Sequence, residues 1–91
     1  MSDNFYKFKK LDHAQNEWAD AKRFAYSMAG PSLQPMVRTA LTQIGRWGYR
    51  AKRGIDMLDA ILGTNDTEYV CEKANQVRAI ANDLGVPISS D

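Results

Sequence analysis

The chemical reach of this chain lies in its cations and rings. Between residues 21 and 55 stand Lys22, Arg23, Arg38, Arg46, Arg50, Lys52 and Arg53, with no Asp or Glu among them. Residues 1–20 hold three Lys against four acids, and residues 56–91 hold two bases against seven acids. A net charge of +1 over 91 residues therefore hides a middle of +7. Such a field attracts phosphates or an acidic partner. The alternative is that the acidic C-terminal third lies beside the basic middle and cancels it. Rings are interleaved with the cations: Tyr6 and Phe8 with Lys10, Tyr26 with Lys22 and Arg23, Trp47 and Tyr49 with Arg46, Arg50 and Arg53. Bases stack on rings while Lys and Arg meet phosphates, so this pairing suits a nucleotide. The plainer reading of each cluster is a solvated charge beside a half-buried ring.

Arg46, Arg50 and Arg53 share one helical face by their four-and-three spacing. Three guanidiniums there repel one another unless an anion sits among them. The candidates are phosphates, an acidic protein surface, or the chain's own Asp56, Asp59 and Glu72. Catalysis is not expected. His13 is the one histidine and Cys71 the one cysteine, so neither a zinc set nor a Cys-x-x-Cys pair can be built. No Ser-His-Asp set, phosphate-binding loop or dinucleotide fingerprint occurs, and no cofactor is expected. A single cysteine and the lack of an apolar run of about 20 residues fit a cytoplasmic protein without a membrane partner. The opening MSDNFYKFKK also lacks the apolar core of a secretory signal.

An all-α fold of three helices must position these residues, in one domain over 1–91. An aromatic and basic arm, 1–11, precedes them as a short helix or an extended segment. Its rings are expected to dock on the body, since three aromatics in four residues are costly to leave in water. Helix 1, residues 12–29, is capped by Asp12 with Gln15 and carries the stripe Ala14, Trp18, Ala21, Ala25, Met28. Gly30-Pro31 ends it. Helix 2, 33–62, follows Ser32 as a candidate cap, with Pro35 in its first turn. Its stripe is Val37, Leu41, Ile44, Gly48, Ala51, Ile55, Leu58 and Leu62. As one helix, its 27 residues from Met36 span roughly 40 Å and outrun helix 1, against which it is expected to fold as an antiparallel hairpin. Helix 3, 66–84, begins at a capping box of Asn65 and Glu68, carries Val70, Ala74, Val77, Ala81 and Leu84, and stops at Gly85 and Pro87.

Gly45, Gly48 and Gly54 are the oddity of helix 2, each costing roughly 1 kcal/mol against Ala. Close crossing by another helix, a ligand against the backbone, or a break near Gly45 or Gly54 would each account for them. A helix crossing at that point could come from a second subunit. The small size also favours a homo-oligomer.

The length, the helical hairpin and the aromatic-plus-basic arm resemble the phage-encoded sponges that block cyclic-oligonucleotide (CBASS) defence signalling. Those proteins are compact helical oligomers that hold cyclic di- or trinucleotides between protomers with an aromatic ring and a Lys or Arg. The resemblance implies non-enzymatic sequestration in the host cytoplasm. It places Tyr6 or Phe8 on a base and Lys22 or Arg23 of a neighbour on a phosphate, with Arg46, Arg50 and Arg53 free for a second ligand. Two other readings use the same charges: an inhibitor or adaptor docking on an acidic host protein, and a nucleic-acid-binding domain. Against the last stand the low net charge and the lack of a short turn-linked helix pair.

Overall fold

The computed structural model describes residues 3–46 and 49–86. It is all-helical, with no strand among the described residues and four helices where the sequence pattern suggests three. They are α1 (Asp3–Ala29), α2 (Gln34–Arg46), α3 (Tyr49–Leu62) and α4 (Thr64–Leu84), with a 3-10 turn at Pro31–Leu33. The molecule measures 48 × 25 × 20 Å. No helix among the described residues is long and apolar enough to cross a membrane.

The arm and helix 1 are one element. α1 runs unbroken from Asp3, so Asp12 sits in mid-helix, exposed to water, and caps nothing. Leu11, Ala14, Trp18, Ala21 and Ala25 follow a three-and-four step on one face and are all buried. Met28, expected to continue the stripe, is 56 % exposed. The arm's rings do not dock on the body: Phe5, Tyr6 and Phe8 remain about half exposed or more.

α1 pairs chiefly with α4 rather than with helix 2. Lys7 meets Asp83 at 2.9 Å, Lys73 meets Glu17 at 3.1 Å, and the Phe24 and Tyr69 rings stand edge to face at 5.3 Å. Those pairings fix an antiparallel couple, with Val70, Ala74, Val77 and Ala81 of α4 buried against the α1 stripe. The Glu17 carboxylate accepts a hydrogen bond from Lys73 and thereby holds its ammonium protonated to higher pH than an ordinary lysine. A base favoured in this way contributes at neutral pH, and its contribution fades only as pH climbs past the lysine range.

The long central helix does not form. It is interrupted between Arg46 and Tyr49, where Trp47 and Gly48 lie outside the described residues, and α3 packs back along α2. The chain thus holds a pair of short helices only two residues apart in sequence, which the apolar pattern did not disclose. α2 packs chiefly against α3, and the two form a hairpin. The hairpin that forms is thus α2–α3, not helix 1 with helix 2. Gly54 marks the crossing: a Cβ added there would lie 2.6 Å from the Ala40 carbonyl oxygen, 2.9 Å from Gln43 Cβ and 3.1 Å from Ile44 Cγ1. Gly54 therefore serves a close crossing between two helices of one chain.

The interruption also shifts the buried face of α3. Val37, Leu41 and Ile44 of α2 are buried as their spacing predicts. In α3 Leu58 is buried and Leu62 partly covered as the stripe predicts, but Gly54 is also buried and Met57 and Ile61 partly covered, while Ile55 turns towards solvent at 36 % exposure. Gly30, Gly63 and Gly85 all take positive φ (79°, 88° and 70°), which only glycine adopts without strain. Gly63 lets α4 begin at Thr64, two residues before the expected start, with no side-chain cap from Asn65. Ser32 falls within the 3-10 turn and likewise makes no cap. Residues after Val86, Pro87 included, lie outside those described.

Candidate functional site

Helix α2 carries Arg38, Thr42 and Arg46 at four-residue steps, so all three lie on one face. Leu41 and Ile44 anchor its opposite side in the core, which holds that face outward. On α1, the buried Trp18, Ala21 and Ala25 fix the helix so that Lys22 and Tyr26 stand half-buried at its flank, beside the exposed Arg23. The two flanks meet. Lys22, Arg23 and Tyr26 of α1 and Arg38, Leu41 and Thr42 of α2 line a groove of about 540 Å³, within the size range of small-ligand sites.

A second groove of about 330 Å³ continues from it across the α2–α3 hairpin, lined by Arg38, Thr42, Gln43, Arg46 and Arg50. Arg38 and Thr42 form the wall common to both grooves. The sequence singles out Lys22, Arg23, Tyr26, Arg46 and Arg50 but leaves Arg38 and Thr42 out of the candidate site. Their four-residue spacing to Arg46 was the available signal.

The expected face of Arg46, Arg50 and Arg53 is only partly formed. The interruption separates Arg46 from the other two, and the hairpin returns Arg50 to the same groove while Arg53 does not line it. Among the described residues no carboxylate lies within 4.0 Å of Arg38, Arg46, Arg50, Lys52 or Arg53, so Asp56, Asp59 and Glu72 do not neutralise this face. The acidic α4 spends its contacts mainly on α1. Within the first groove, Arg23 pairs with Asp20, and Lys22 sits over the Trp18 ring at 5.3 Å. Trp47 and the Tyr49 ring lie outside what is described.

Tyr6, Phe8 and Lys10 do not join this site. Lys10 rests 5.0 Å above the Tyr6 ring, in a groove between α1 and α4. Residues 6 and 22 are roughly 24 Å apart along the helix at 1.5 Å per residue, and some 160° apart around it. One protomer therefore cannot bring Tyr6 and Lys22 to a single small ligand. Cys71 is half-buried, and burial pushes its thiol above the ordinary cysteine value, the opposite of an activated nucleophile. Among the described residues no group of three or more His, Cys, Asp or Glu is placed to hold a metal ion.

Comparison with protein-family models, with curated proteins and with solved structures returns no match.

Proposed function

We propose that this protein binds a phosphate-bearing ligand of the cyclic di- or trinucleotide class and sequesters it without chemical change, acting as a homo-oligomeric phage anti-defence sponge. The observation that carries this reading is Arg38, on the wall common to two grooves, with Arg46 and Arg50 beyond it and no carboxylate among them. Uncompensated guanidiniums on one surface favour an anion, and their planar forks match phosphate oxygens. Tyr26 supplies a half-buried ring in the first groove, and Thr42 a hydroxyl between the two. A base against the ring and phosphates along the arginines would use every one of these groups.

A second reading has its own support. Lys52 and Arg53 are exposed on α3 outside both grooves, where an acidic protein partner rather than a small ligand would use them. Thermal melting with and without added nucleotide separates the two. A cyclic nucleotide that binds should stabilise the fold by about 3–4 kcal/mol at 100–1,000 times its dissociation constant. Lys22→Ala combined with Arg23→Ala should abolish that shift while the unliganded melt stays nearly unchanged. No shift across a panel of cyclic di- and trinucleotides would leave the protein-docking reading in place.

A further inference from the structure

The outer face of the α1/α4 couple is charged at both ends in opposite senses. At one end Lys9 and Lys10 lie 5.0 Å over the rings of Phe5 and Tyr6. At the other end Glu68 and Glu72 stand exposed on α4. Among the described residues none of these four makes an ion pair. Between them runs a shallow, largely apolar strip. Gln76 and Ala79 line both the groove beside Tyr6 and Lys10 and the one beside Glu68 and Glu72, so the two are continuous.

The spacing along this face is symmetric. Lys7 is level with Asp83 and Glu17 with Lys73, which sets Ala14 level with Gln76. From that level, Lys10 lies about 6 Å one way and Glu72 about 6 Å the other, at 1.5 Å per residue. Tyr6 and Glu68 lie about 12 Å out on opposite sides, the latter next to the 39 % exposed Tyr69. Half a turn about an axis at Gln76, perpendicular to the helices, therefore carries the basic end of the face onto the level of the acidic end.

We infer that this face is a self-complementary docking surface for a second copy of the chain, running antiparallel about a twofold axis at the level of Gln76 and Ala79. With the axis lying in this face, α1 stands over α1 of the second copy, so each Lys9/Lys10 end meets a Glu68/Glu72 end diagonally, from α1 to α4, twice per dimer. The exposed Tyr6 ring gains a neighbour at the Tyr69 level. From the Tyr6 level to the Glu68 level the strip is about 24 Å long, and at up to two helix widths it projects on the order of 400–500 Å² per copy, of the same order as the roughly 800 Å² of accessible surface that a specific interface buries on each side. The interface leaves the Arg38 grooves free and does not depend on what they bind.

Light scattering on the unliganded protein tests this with two charge-reversed variants. One is Lys9→Glu with Lys10→Glu, and the other Glu68→Lys with Glu72→Lys. All four positions are exposed, so far-UV helicity should match the parent in both. Each variant alone faces like charge with like charge, and its dimer should weaken at least about 100-fold. Mixed one to one, the two should restore the dimer, because each then presents the sign that the other lacks. A monomeric parent, variants that keep the parent's mass, or a mixture that stays dissociated would each overturn the inference.

Discussion

Replacing Gly54 by Ala lowers stability by about 2–4 kcal/mol, although Ala is the better helix former by roughly 1 kcal/mol. The added methyl lands 2.6 Å from the carbonyl oxygen of Ala40 and 2.9 Å from Gln43 Cβ. Neither is the end of a flexible side chain, so α2 and α3 must separate. For a domain of this size the melting temperature falls by roughly 10–25 °C. Ile55→Ala is the internal control. It removes a larger side chain next door, yet one already turned towards solvent, and should cost less than about 1 kcal/mol. A single straight helix through residues 36–62 predicts the reverse order, with Ile55 on the buried stripe and Gly54→Ala stabilising. Thermal melts of the two variants by circular dichroism distinguish these outcomes.

Reversing the charge of Arg38 should have the largest effect on binding. Arg38→Glu places a carboxylate on the wall common to both grooves, and affinity for a cyclic nucleotide should fall at least about 100-fold. The fold should barely change, because Arg38 is exposed and makes no ion pair among the described residues; its melt is expected within about 0.5 kcal/mol of the parent. Arg53→Glu removes the same charge from the same basic middle, but from a side chain outside both grooves, and should weaken binding less than about fivefold. Equal losses for the two would mean a diffuse field rather than a site. Ligand titrations by calorimetry, run on both variants at one salt concentration, provide the comparison.

The all-α class, the apolar stripe and C-terminal end of α1, and the outline of α4 were legible because apolar spacing and glycine stops agree there. Trp18, Ala21, Val70 and Val77 follow their stripes into the core, and Gly30, Gly63 and Gly85 end or separate helices as their positive φ requires. The centre was harder to read because its apolar stripe runs in step across Trp47 and Gly48. Periodicity alone extends a helix through them, and the register shift that buries Gly54 in place of Ile55 arises only when α3 doubles back. The glycines did announce a break or a crossing, without saying that the partner was α2 itself. The same fold-back explains the site. It keeps Arg50 with Arg46 and Arg38 while leaving Arg53 aside, a separation that the spacing of one continuous helix does not predict. Asp12 misled for a simpler reason. An Asp followed three residues later by Gln is also compatible with the exposed side of a helix already under way.

The central claim is that the arginine-lined grooves hold a phosphate-bearing ligand and return it intact. Ultrafiltration tests this most directly. The protein is mixed with a cyclic di- or trinucleotide below the protein's concentration, the free ligand is measured in the filtrate, and the retained fraction is then denatured and analysed by chromatography. The account predicts that free ligand disappears until the sites are filled, and that denaturation releases all of it as the unaltered cyclic species. Ligand passing freely into the filtrate would contradict binding, and a linearised or shortened product after denaturation would contradict sequestration without chemistry.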